Sequence, residues 1–281
     1  MTITVLADNT VVSRHALGEH GLAVWIDTGE LCLLFDTGQG RALAENARAL
    51  RSDLDAVDTI VLSHGHYDHA GGLADVVRVA ACPVTVHAHP DVLAPKYQRV
   101  EAGPREIGLP AESRQALADA HCRFIASRGP VEIGPGIWTT GEIPRVHPEE
   151  EAAEPFFRDA EGEEADRLLD DQALFVETSG GTVVLLGCAH AGPINTLDHI
   201  RTLTDGRPVR AVLGGMHLRM ASEARIEWTV RELRRFDIGL LAPMHCTGAK
   251  AIAELWSAFP AACRPAGAGS RWEFERERGT A

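Results

Sequence analysis

The chain has 281 residues, 45% hydrophobic and 24% charged, with a formal net charge of −13, an ordinary globular composition for one large domain or two small ones. A chain this acidic repels polyanions, which argues against extended nucleic acid as a partner unless a local basic groove exists. Met1 to Ala7 lacks a basic region ahead of a long apolar core, no apolar run approaches the ~20 residues of a spanning helix, and the six cysteines form no CxxC pair. We therefore expect a reduced, cytoplasmic protein without signal peptide, membrane span or disulfide framework.

Ile3–Leu6, Leu22–Ile26 and Leu31–Phe35 are short apolar runs that read as strands, with a hairpin turn at Asp27-Thr28-Gly29-Glu30. Asp36, at the end of the third run, reads either as a turn residue or as an acid that orients metal-binding groups in the loop that follows. Arg41–Leu50 has helical composition, with Leu43, Ala47 and Leu50 at helical spacing. Ile60 to Leu62 reads as a buried strand ended by Ser63.

The next residues carry the chemistry. His64, His66, Asp68 and His69 fall within six residues, and Gly71-Gly72 release the chain into a predicted helix to Val79. Neutral imidazole and carboxylate are preferred ligands of zinc and similar divalent ions. His64 and His66 can point one way while Asp68 and His69 point another, so one loop can serve two neighbouring ions. A solvated polar loop or a closed structural zinc is the plainer alternative, but structural sites have four ligands and often use Cys, and this loop has no Cys.

Pro83–His87 reads as a strand, and His87 and His89 at its end read as a strand turning into a loop. From Pro90 to Pro148 the pattern is irregular, with a helix at Ser113–Ala120 and strands at Arg123–Ala126 and Gly136–Thr139. Residues 149–171 are strongly acidic and read mostly as a solvated loop, with a lid over the metal site as the alternative. The domain expectation is one domain over 1–281 with a lid or insert within 90–171. Lys96, Arg99 and Arg145 are candidate partners for an anionic substrate, although any single one reads more simply as a solvated surface cation.

The second half alternates strand and helix. Strands are expected at Ala173–Glu177, Thr182–Leu186, Pro208–Leu213, Ile238–Leu241 and Trp272–Phe274, with helices at Ile194–Leu203, Ser222–Arg235 and Ala249–Phe259. Three consecutive apolar strands each lead into a loop with one histidine: His190, His217 and His245. Strand ends along one sheet edge are where α/β folds place their sites. These histidines are the candidates to complete two metal sites. His217 is a third ligand candidate or a substrate-facing acid/base.

His64-Gly65-His66-Tyr67-Asp68-His69 resembles the HxHxDH signature of the metallo-β-lactamase superfamily. With Gly141-Glu142-Ile143-Pro144-Arg145, Asp170-Asp171-Gln172-Ala173-Leu174, GCAHAG, GGMHL and MHCTG, the chain resembles the branch of 7,8-dihydropterin-6-yl-methyl-4-(β-D-ribofuranosyl)aminobenzene 5′-phosphate synthase-like proteins. The resemblance implies an α/β fold, an αββα sandwich with a binuclear metal site at one edge of the sheets. It implies His64, His66 and His190 on one ion and Asp68, His69 and His245 on the other, with zinc first and manganese or iron as alternatives. Cys188 departs from the wider superfamily, which presents a bridging Asp there. The implied activity is metal-dependent hydrolysis, metal-bound hydroxide attacking a small phosphorylated ester and Asp68 receiving the water's proton. The alternatives are condensation of a dihydropterin diphosphate with an aryl amine, or a non-catalytic metal-binding sensor. The expected partner is a small anionic molecule, not nucleic acid or membrane.

Overall fold

The computed structural model describes residues 1–151 and 155–276. The chain divides into two compact units, each assembled from separate stretches. The first comprises Met1–Arg128, Glu154–Asp170 and Gly267–Glu273, and the second Gly129–Ala153, Asp171–Ala266 and Phe274–Ala281. The result is the mixed α/β architecture that the resemblance implies.

The first unit holds a seven-stranded sheet in the order Arg271–Glu273, Thr2–Ala7, Ala23–Asp27, Cys32–Phe35, Thr59–Val61, Val84–Ala88, Cys122–Ala126. Its first four strands are antiparallel neighbours, and from Cys32–Phe35 onward the pairing is parallel. Parallel neighbours need a crossover, and the helices Leu43–Leu50 and Leu73–Val79 supply two of them. Leu43, Leu73 and Val76 pack on Leu34, Ile60 and Val86 of the sheet in one buried cluster. The strand Thr59–Val61 is buried at every position, as a central parallel strand with both faces covered must be.

The irregular segment holds structure that its sequence pattern hides. Tyr97–Val100, Gly103–Glu106 and Phe156–Phe157 form a small antiparallel sheet. Gln98, Arg99, Pro104 and Arg105 break the apolar alternation that announces a strand. The acidic run is likewise not simply a solvated loop. Glu149, Glu151, Glu161, Glu163 and Glu164 are exposed, but Glu150, Asp166, Asp170 and Asp171 are buried. Glu154 lies outside the described residues.

The second unit holds a six-stranded sheet in the order Leu240–Met244, Val209–Gly215, Gly181–Leu186, Leu174–Thr178, Ile137–Thr139, Val131–Gly134. The first three strands run parallel, so their carboxyl ends lie along one edge. The helices Pro193–Leu203, Glu223–Leu233 and Ala249–Ala258 supply Leu197, Ile200, Ile226, Leu233 and Leu255 to the apolar cluster on this sheet. Among the described residues no helix is long and apolar enough to cross a membrane.

Candidate metal centre

In the first unit the site begins at two adjacent parallel strands. Cys32–Phe35 ends in Asp36, and Thr59–Val61 leads into Ser63 and the histidine loop. The Asp36 side chain is sealed from solvent and serves three donors. Oδ1 accepts from the Ser63 amide at 2.7 Å, and Oδ2 accepts from the Ser63 hydroxyl at 2.7 Å. His69 Nδ1 stands 2.7 Å from the same Oδ2. A carboxylate there holds the proton on Nδ1 and leaves the lone pair on Nε2, the tautomer a metal ligand needs. Asp36 therefore orients His69, which is the second of the two roles its sequence position suggests.

The three loop imidazoles converge. His64, His66 and His69 are buried. The rings of His64 and His66 lie 4.5 Å apart and those of His64 and His69 4.2 Å apart. His64 Nε2 and His66 Nδ1 are 2.9 Å apart, and the Ser63 hydroxyl meets His64 Nδ1 at 2.9 Å. Asp68 sits on the one-turn helix Tyr67–Ala70, with Oδ2 3.1 Å from His20 Nε2. Sequence pattern gives no sign of His20, because its loop carries no motif. Gly72 explains why the loop must leave through glycine: a Cβ there would lie 2.4 Å from the Thr37 carbonyl oxygen.

Beneath this loop is a buried ionic network. Lys96 Nζ donates to Asp170 Oδ1 at 2.8 Å and to Asp166 Oδ2 at 3.0 Å, with all three side chains sealed from solvent. Asp170 Oδ2 accepts from the Gly65 amide at 2.8 Å. Burial pushes the Asp170 carboxyl up, against the pull of the Lys96 ammonium and the two hydrogen bonds. Lys96 is thus not a substrate clamp, since its charge is committed inside the fold. Arg99 is exposed and donates to the Glu161 carbonyl at 2.7 Å. His89 accepts from the Asp91 amide on Nδ1 at 3.1 Å, a local turn contact.

In the second unit the three late histidines follow three adjacent parallel strands. His190 lies in the loop after Gly181–Leu186, His217 two residues beyond Val209–Gly215, and His245 directly after Leu240–Met244. Ala189, His217 and His245 all have left-handed backbone, with φ of 53°, 47° and 51°. Asp36 does too, at 59°. Such conformations cost about 1 kcal/mol or more for residues other than glycine, and they concentrate at functional sites. Gly215 lets the loops close up, since a Cβ there would lie 2.4 Å from the Gly187 carbonyl and 2.6 Å from Cys246 Sγ.

The donors gather accordingly. The His190 and His217 rings are 4.3 Å apart. Cys188, His190 and His217 offer ligand atoms within 4.8 Å of one another, and so do Cys188, His245 and Cys246. Cys246 Sγ accepts from the His217 amide at 3.3 Å. Burial pushes the Cys246 thiol up, but Cys188 and the imidazoles of His245 and His217 outweigh it and hold the thiol well below its ordinary range. The histidine pattern of the sequence does not single out Cys246, although it stands inside the Met-His-Cys-Thr-Gly stretch. Two contacts frame the His190 loop: Arg145 Nη1 donates to the His190 carbonyl at 2.9 Å, and Asp171 Oδ2 accepts from the Ala191 amide at 2.8 Å. Imidazole and carboxylate in the first unit, and imidazole and thiol in the second, are donors that suit zinc and similar divalent ions.

A sequence model of the metallo-β-lactamase superfamily matches residues 17–245, a span containing His64, His66, Asp68, His69, Cys188, His190, His217 and His245, with Cys246 one residue beyond it. The chain belongs to the metallo-β-lactamase superfamily. Within it, the chain is 34% identical over 256 residues to an uncharacterized protein of Methanocaldococcus jannaschii, covering 90% of this chain and 93% of that one. It is 27% identical over 242 residues to the 7,8-dihydropterin-6-methyl-4-(β-D-ribofuranosyl)-aminobenzene-5′-phosphate synthase of the same organism, covering 83% and 82%. Among solved structures it is similar to Tm1679, described as a metal-dependent hydrolase of the β-lactamase superfamily, at 31% identity and a TM-score of 0.83, covering 98% of this chain and 99% of that one. The superfamily's metal-dependent hydrolase fold and its small-molecule substrates are therefore the frame for this chain.

Proposed function

We propose that this protein is a binuclear metal-dependent hydrolase of small phosphorylated esters. The observation that carries the reading is the gathering of buried donors at the carboxyl ends of parallel strands, with Asp36 fixing the tautomer of His69. A similarity to a metal-dependent hydrolase over 98% of the chain supports it. His64, His66 and His190 would hold one ion, and Asp68, His69 and His245 the other, with zinc preferred by a donor set rich in imidazole. Divalent ions at such a centre lower the pKa of water and polarise an ester or phosphoryl oxygen.

The chain's own residues supply the proton handling. Asp68 would take the proton of the attacking water. His20, 3.1 Å away with 42% of its side chain exposed, would pass it to solvent. His217 has two candidate roles, ligand or acid/base toward the leaving group, and its place beside His190 and Cys188 supports the first. Of the three cations, Lys96 is committed inside the fold, and Arg145, half-buried and bonded to the His190 carbonyl, is the better placed of the other two for pairing with a substrate anion.

A second reading rests on the synthase relative. There an aryl amine would attack a dihydropterin diphosphate and diphosphate would leave, and ions held by the same residues would bind the departing diphosphate. Metal analysis, paired with a turnover screen on phosphomonoesters, phosphodiesters, lactones and pterin diphosphates with an aryl amine, separates the two. Hydrolysis of an ester without amine supports the first reading, and product formed only with amine supports the second.

A further inference from the structure

We propose that the adjacent residues Asp170 and Asp171 are positioning residues for the metal-binding histidines, each fastening the histidine loop of its own unit through a backbone amide. The inference rests on the metal-binding reading above and adds to it two residues that touch no substrate.

In the first unit, the amide held by Asp170 belongs to Gly65, the residue between His64 and His66. The loop is pressed against its support there: a Cβ on Gly65 would lie 2.5 Å from the Val92 carbonyl oxygen and 3.0 Å from Lys96 Cε. The other Asp170 oxygen is held by Lys96, which Asp166 holds in turn, so the acceptor cannot swing away from the amide. Phe156, from the same stretch of chain, packs its ring against that of His66, with centroids 5.3 Å apart and a tilt of 43°. In the second unit, the Asp171 side chain is buried and accepts from the amide of Ala191, the residue directly after His190. The two histidine loops thus receive the same treatment, a buried carboxylate on the amide next to a candidate ligand.

Fold stability is a weak account of the buried Lys96–Asp170 pair. Replacing a buried ion pair by apolar side chains of similar volume is often neutral or stabilising. What a carboxylate adds is a charge-assisted hydrogen bond, shorter and roughly twice as strong as a neutral one, and so a tighter fix on the loop backbone. Groups that orient metal ligands typically alter metal affinity 10- to 100-fold when removed.

The test titrates Co²⁺ into full-length, metal-free wild type, Asp170→Ala, Asp170→Asn, Asp171→Ala and Asp171→Asn. Affinity is read from the cobalt absorption spectrum and by chelator competition, and the melting temperature of each metal-free protein is recorded. The expected result is that each Ala variant binds one of two equivalents about 10- to 100-fold more weakly, the one assigned to His64, His66 and His190. The other equivalent should be unchanged. Each Asn variant, whose amide oxygen can still accept, should show a smaller loss at the same equivalent. If an Ala variant fails to fold, the Asn variant alone decides. Variants that bind both equivalents as wild type does, even with a lowered melting temperature, would reduce both aspartates to structural residues and overturn the inference. A wild type that takes up no cobalt would instead overturn the metal-binding reading on which it rests.

Discussion

Asp36→Asn isolates the effect of one proton. Asparagine matches aspartate in size and tolerates the left-handed backbone at position 36, where φ is 59°, so the loop need not move. Its carbonyl oxygen can still accept from Ser63, but its amide can only donate toward His69 Nδ1, where the carboxylate now stands at 2.7 Å. His69 is then driven to the tautomer with its proton on Nε2, and ligation there must break the new hydrogen bond. Losing a charge-assisted bond costs about 1.5–3 kcal/mol. At ~1.4 kcal/mol per decade, that is roughly a 10- to 150-fold weakening of one ion. Competition with a chromophoric chelator measures it directly, with the melting temperature of the metal-free variant as the control for folding. Asp36→Asn protein that is folded and binds both ions as wild type does would show that His69 is not oriented in this way.

Lys96→Met leaves Asp166 and Asp170 buried without their shared cation; breaking a buried pair costs about 3–5 kcal/mol, and at about 2–4 °C per kcal/mol the melting temperature should fall by roughly 6–20 °C. A fall of only a degree or two would mean the network is not as buried as it looks. Glu150, buried against the first turn of Pro193–Leu203, is pushed up from 4.5 to about 7 by burial. Its contribution to stability is present below the unfolded value and is lost as pH rises toward 7; with ~1.36 kcal/mol per pKa unit, the loss is about 3 kcal/mol. Urea midpoints at pH 4.5 to 8 should show this slope in wild type and lose it in Glu150→Gln; an unchanged slope would assign it to another group. His217→Ala should release one ion if His217 is a ligand, whereas two retained ions with lost turnover and an altered pH profile would make it the acid/base.

Much of the candidate site is legible in sequence because metal ligation uses few residue types at fixed spacing. His64, His66 and His69 lie on one loop, and their convergence needs only that loop to turn, while Asp68 on the same loop meets His20. His190, His217 and His245 are legible by position, because parallel strands bring their carboxyl ends to one edge. The supporting groups are another matter. Nothing local distinguishes Lys96 from a surface lysine, since its partners Asp166 and Asp170 lie 70 and 74 residues away. For the same reason Asp166, Asp170 and Asp171 are lost among the exposed glutamates of an acidic run, and burial is a tertiary fact that composition does not carry. The small sheet at Tyr97–Val100 stays hidden because it is held by backbone pairing rather than by an apolar face.

Metal stoichiometry is the most direct test of the central claim. Wild type, His64→Ala and His245→Ala should be loaded with zinc, desalted and analysed for bound metal beside their melting temperatures. Two ions in wild type and close to one in each folded variant is the result expected of a centre that draws on both histidine groups. Wild type that retains no zinc, or folded variants that both retain two ions, would contradict it.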